Sequence, residues 1–117
     1  LMGLDMDFYK VNGNGEKEHL HYFRKHSDLH GILQDCWREK NPGKSGDDFN
    51  CMEFEVTLHE VKRVIDFMET QRGTGAHYSG FFWGRSTEED WQETVELLKE
   101  VVEILAAGQK VIYIPWW

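Results

Sequence analysis

The chain predicts an α+β fold: a single domain with a mainly antiparallel sheet and helices packed on one face of it. Three observations carry that expectation. The opening segment alternates apolar and polar residues, as a strand with one buried face does. An Asn-Gly-Asn-Gly stretch at 12–15 supplies residues that accept the positive φ of a tight hairpin. Three later segments, each opened by Ser or Thr, repeat apolar residues at helical spacing. The expected order is β-β-α-β-α-β-α-β.

In the first strand Leu4, Met6 and Phe8 alternate with Asp5, Asp7 and Tyr9. The return strand lies near 18–23, with Leu20 and Tyr22 on one face and His19, His21 and Phe23 on the other. A helix over 26–38 follows, with Ser27 as N-cap and Leu29, Ile32, Leu33 and Cys36 or Trp37 on its apolar face. Gly31 inside it either weakens the helix by about 1 kcal/mol relative to Ala or permits close packing. Residues 39–48, "EKNPGKSGDD", read as a polar loop. A strand is expected over 51–58, and Thr57 with Glu60 forms a capping box for the next helix. Val61, Val64, Ile65 and Met68 give that helix one apolar face.

A glycine-rich connection at 70–80 leads to a short strand over 79–83, with Phe81 and Trp83 facing one way and Phe82 the other. Ser86 or Thr87 caps the longest helix, which runs to about Ala107. Glu88, Glu89 and Asp90 suit its positive N-terminal end. Its expected core stripe is Trp91, Val95, Leu98, Val102 and Leu105, widened by Val101 and Ile104. Glu93, Glu96, Glu100 and Glu103 form an acidic face. Gly108 ends the helix and "KVIYIPWW" forms the last strand.

A length of 117 residues fits one domain, taken as 2–117 with Met2 as the native start. An apolar content of 40% is enough for a core without metal or disulfide staples. The 21 acidic against 13 basic residues leave a net charge of −8, which argues against direct nucleic-acid binding. No apolar run reaches the roughly 20 residues of a membrane span, so no membrane partner is expected. Cys36 and Cys51 form no metal-ligand spacing and, with no signal pattern before them, are read as reduced, buried thiols in a cytoplasm.

"MGLDM" at 2–6, "YFRK" at 22–25, "LHG" at 29–31, "SGFFWG" at 79–84 and the aromatic tail occur in that order. Together they resemble a family of small proteins of phages, prophages and bacteria. Its members open with Met-Gly-Leu-Asp-Met and carry a later Ser-Gly-Phe-Phe-aromatic-Gly stretch before an acidic helix. Asp7, Phe23 and Ile32 stand where the family has aromatic residues. The resemblance implies a phage-encoded accessory protein acting in the bacterial cytoplasm. It brings no catalytic residues with it.

Four constellations could carry chemistry. Asp5 and Asp7 on one strand, with His19 and His21 on its partner, could offer carboxylate and imidazole ligands to zinc, manganese or iron. Cross-strand pairing on a solvated face is the competing explanation. His26 and His30 share a helix face, without the Glu of zinc proteases, and His30 reads as structural. Arg24, Lys25 and His26 form a small basic spot that could hold a phosphate or a partner's carboxylate. Gly73 and Gly75 lack the Lys of a P-loop, and Ser79 near His77 lacks a nucleophile elbow.

The fourth constellation is the acidic and aromatic surface, since Trp83, Trp116 and Trp117 are residue types that anchor interfaces. The favoured function is therefore a non-catalytic accessory protein, with no cofactor. It would bind a host or phage protein, such as a defence enzyme, through Trp83, Trp116, Trp117, Glu93, Glu96, Glu100, Glu103, Arg24 and His26. The alternatives are a small metal- or ligand-binding enzyme using the hairpin Asp/His face, and a self-associating assembly protein.

Overall fold

A computed structural model describes residues 3–71, 77–80 and 83–117. Hairpin strands β1 (Asp5–Val11) and β2 (Lys17–Arg24) are followed by helix α1 (Ser27–Lys40), a 3-10 turn (Gly46–Phe49) and a two-residue strand β3 (Phe54–Glu55). Helices α2 (Leu58–Thr70) and α3 (Glu88–Ala106) and strand β4 (Lys110–Trp116) complete the chain. The sheet order is β2-β1-β4-β3 with every pair antiparallel. The α+β architecture read from the sequence is the one observed.

Alternation decides which sheet face is dry. Met6, Phe8, Phe23, Val111 and Tyr113 are buried, whereas Asp5, Asp7, Tyr9, Ile112 and Ile114 between them are half-buried. The buried set forms one core with Leu29, Leu33 and Cys36 of α1, Val61 and Val64 of α2, and Trp91, Leu97 and Val101 of α3. The three helices thus cover one face and leave the other open.

Several expectations need correction. Ser79, Gly80 and Trp83 lie in irregular backbone, so they form no strand, and Phe81 and Phe82 lie outside the described residues. The strand expected over 51–58 shrinks to Phe54 and Glu55, paired with Tyr113 and Ile112. Cys51 breaks the run before it with φ 65° and is exposed rather than buried, unlike Cys36. The polar loop is shorter than 39–48: α1 extends to Lys40, and the 3-10 turn is anchored by fully buried Phe49, stacked on Trp37 at 4.9 Å.

The helix starts divide in an instructive way. Thr57–Glu60 and Thr87–Asp90 both close complete capping boxes. Ser27 does not cap α1: it lies in the first turn, and His26 is the N-cap, its side chain making no capping bond to the helix amides. The Asp28 amide instead donates to the Ser86 hydroxyl at 2.9 Å, so a residue far along the chain performs the capping role.

Candidate functional site

The hairpin quartet is divided by a β-bulge. Pairing runs Tyr9 with His19 and Phe8 with His21, leaving Leu20 as an extra residue. Side chains alternate strictly along a strand, so one inserted residue reverses the faces beyond it. His19 consequently lies with Asp7 on the open face, its Nε2 2.8 Å from the carboxylate. His21 turns to the helix side and pairs with Glu93 of α3 at 2.8 Å. Asp5 accepts from Tyr22 and, at 3.3 Å, from Arg24. The four expected ligands are therefore committed to three separate partnerships and do not surround one point.

Among the described residues, Cys36, His59 and Glu60 bring one potential ligand atom each within 4.8 Å of one another. Their chemistry is already committed. Glu60 is fully buried: one oxygen takes the Thr57 amide and hydroxyl and the other faces Lys40 at 3.1 Å. Burial raises the Glu60 pKa, but the Thr57 hydrogen bonds and Lys40 outweigh it and the net shift is downward. Burial also pushes the Cys36 thiol up to about 11, away from the thiolate a metal needs.

His26 belongs to the interior, which corrects its placement in a basic docking spot. It is fully buried, with Nδ1 2.6 Å from Ser86 Oγ and Nε2 2.9 Å from Thr94 Oγ1. Burial, with a smaller contribution from His21, lowers its pKa to about 3, so it is neutral at pH 7. Arg24 alone of that spot is exposed, and it is held by Asp5. Asp28 accepts from the His77 and Tyr78 amides at 3.2 and 3.0 Å. Together His26, Asp28 and Ser86 tie both ends of the 77–86 segment to the start of α1. Trp83 is likewise buried, packed at right angles to His30 at 4.5 Å, and cannot anchor a partner from there.

The surface that remains is on the helices. Helix α3 packs through Trp91, Thr94, Leu97 and Val101, a stripe rotated from the expected one. Buried Thr94 fits the rotation: its hydroxyl, which donates to the Asp90 carbonyl of its own helix, is held inward by His26. Val102 is left 41% exposed, and across from it Ile65 of α2 is 39% exposed. With Met68, Val95 and Leu98 they line an open apolar groove of about 530 Å³ between α2 and α3. Its rim carries Glu69, Lys99 and Glu103. Glu96 and Glu100 stand exposed on the same helix, and Lys99 pairs with Glu96 at 3.5 Å. Comparison with family models, curated proteins and solved structures found no match to the chain.

Of the glutamates expected on an acidic face, Glu96, Glu100 and Glu103 lie on this surface and Glu93 pairs with His21 instead, while Glu69 and the groove itself were not expected. Its signal was present: the apolar residues of α3 span a wider arc than one packed stripe can bury. Of the terminal tryptophans, Trp116 is 60% exposed on the open sheet face, opposite Asp5. Trp117 is half-buried and its backbone is held by both ends of the Asn50 amide at 2.9 and 3.0 Å. Gly73 and Gly75 lie outside the described residues.

Proposed function

We propose that this chain is a non-catalytic binding protein whose α2–α3 groove receives an amphipathic, basic helix of another protein. The observation that carries the reading is the groove itself, an apolar trough with Glu69, Glu103 and Lys99 on its rim, Lys99 being paired with Glu96. Helix-in-groove recognition uses apolar anchors at i, i+3/i+4 and i+7, and lysines or arginines flanking those anchors would face the glutamates. The net charge of −8 favours rapid association with a basic target and disfavours a second copy of the same acidic face. The resemblance to phage proteins suggests that the target is a host or phage protein in a bacterial cytoplasm, such as a defence enzyme.

The test compares the wild-type chain with the double variant Ile65→Asp/Val102→Asp, which changes two outward-facing residues. Each is immobilised and exposed to bacterial host lysate at low salt. A protein retained by the wild type, lost on the variant and released by salt supports the reading. Retention of nothing, or equal retention by both, refutes it. Light scattering that shows concentration-dependent dimers, abolished by the same substitutions, would favour self-association instead.

A further inference from the structure

The α2–α3 groove has distinct ends, because its two walls run in opposite directions. Phe67, near the end of α2, stacks on Trp91, near the start of α3, at 5.6 Å. Val61, early in α2, borders the same small interior gap as Leu97 and Val101, further along α3. Met68 therefore lies towards Val95, and Ile65 towards Val102. Val95, Leu98 and Val102 succeed one another at helical spacing and make the α3 wall about 10 Å long, or about two turns. A helix seated in the trough meets it through anchors at i, i+3/i+4 and i+7.

Charge is not spread evenly along the rim. On the α3 wall Glu96, Lys99 and Glu103 succeed one another at helical spacing and alternate acid, base and acid. Each is the next residue in the chain after a lining residue: Glu96 after Val95, Lys99 after Leu98 and Glu103 after Val102. Glu69, next to Met68 on α2, adds a second acid at the Val95 end. Lys99 and Glu96 pair at 3.5 Å, with side chains 69% and 72% exposed. A pair so exposed is weakened by water and salt, and both groups stay open to a partner's charges.

We propose that the groove reads a charge pattern as well as an apolar stripe. Its partner helix carries Lys or Arg at both ends of a two-turn apolar stripe, and an acidic or uncharged residue beside the middle. This inference rests on the groove being a helix-binding site. Cations at the ends face Glu96 and Glu69 at one end and Glu103 at the other, whereas a cation at the middle meets Lys99. Like charges so placed oppose binding, so Lys99 rejects a uniformly basic helix in favour of the patterned one. It also fixes register, because sliding the partner by one turn carries an end cation onto Lys99. Flanking charges set partner and register in coiled coils by the same physics.

The test selects binders of the full chain from a displayed library of peptides of about 18 residues, long enough to form a helix alone. Apolar anchors are fixed at i, i+4 and i+7, and the positions flanking each anchor vary among Lys, Glu and Ala. The expected result is enrichment of Lys beside the first and last anchors and its depletion beside the middle one. A selected peptide should bind about fivefold more tightly than one of the same composition with its cations centred, as two exposed ion pairs allow. On Lys99→Glu the middle preference should turn to Lys, a switch that a purely apolar groove would not show. Lys99 is exposed, and circular dichroism establishes that the variant is folded. Binders that are abolished by Ile65→Asp/Val102→Asp but carry no charge pattern overturn this proposal and leave the groove standing. Binders that survive the double substitution, or no enrichment at all, overturn both.

Discussion

Acid should unfold this protein through two histidines. His26 and His30 are fully buried and each has its pKa lowered from 6.5 to about 3, chiefly by desolvation. The unfolded chain releases them into water, where they take up protons near pH 6.5. Below that pH the unfolded state holds more protons than the native state, so stability falls as pH falls. The contribution is complete above pH 6.5 and is lost progressively towards about pH 3. Between pH 6.5 and 5.5 the native forms stay neutral while the unfolded ones become roughly nine-tenths protonated. The loss over that single unit is about 1 kcal/mol per histidine, or about 2 kcal/mol for the pair. Urea unfolding at half-unit pH intervals measures it. His30→Asn should halve the slope, and His26→Gln should do the same. Two-dimensional NMR showing either imidazole titrating near pH 6.5 in the folded protein would refute the reasoning. So would a pH slope that survives both substitutions.

Gly31→Ala should destabilise by about 1–3 kcal/mol in denaturant unfolding despite alanine's better helix propensity, because overpacking outweighs it. The added Cβ would stand 2.0 Å from the Tyr78 ring. Thr57→Ala removes the α2 cap and one hydrogen bond to buried Glu60, and thermal or chemical melts should register a loss of about 1–2 kcal/mol. Maleimide labelling at neutral pH should modify one thiol of the folded chain, exposed Cys51, and two after denaturation. Cys36 is buried and its thiol is pushed up to about 11.

Local chemistry made much of the fold legible. The alternation of Leu4, Met6 and Phe8 marked the dry face of β1, and Thr57 with Glu60 marked the start of α2. These signals are readable because each element's own backbone groups and nearest side chains produce them. The glutamates of α3 were legible as a surface for the same reason: a helix turns its charged residues to water wherever it packs. The groove beside them was not, because α3 has more apolar residues than it can bury and only contact with α2 and His26 sets its rotation.

The sequence by itself determined the α+β class, the hairpin and the caps of α2 and α3, since those depend on interactions a few residues apart. Tertiary structure decided three things that local rules could not. The extra residue Leu20 put His19 and His21 on opposite faces, which dispersed a tempting ligand set. Ser86 crossed to α1 and took the amide of Asp28, because His26 and Asp28 gather its hydroxyl into the packed start of that helix. Trp83 went inward, since His30 and Trp117 offered an aromatic seat made of two distant segments. In each case the deciding partner lies at least ten residues away in the chain. Its position is settled only when the strands pair or the helices close over the sheet.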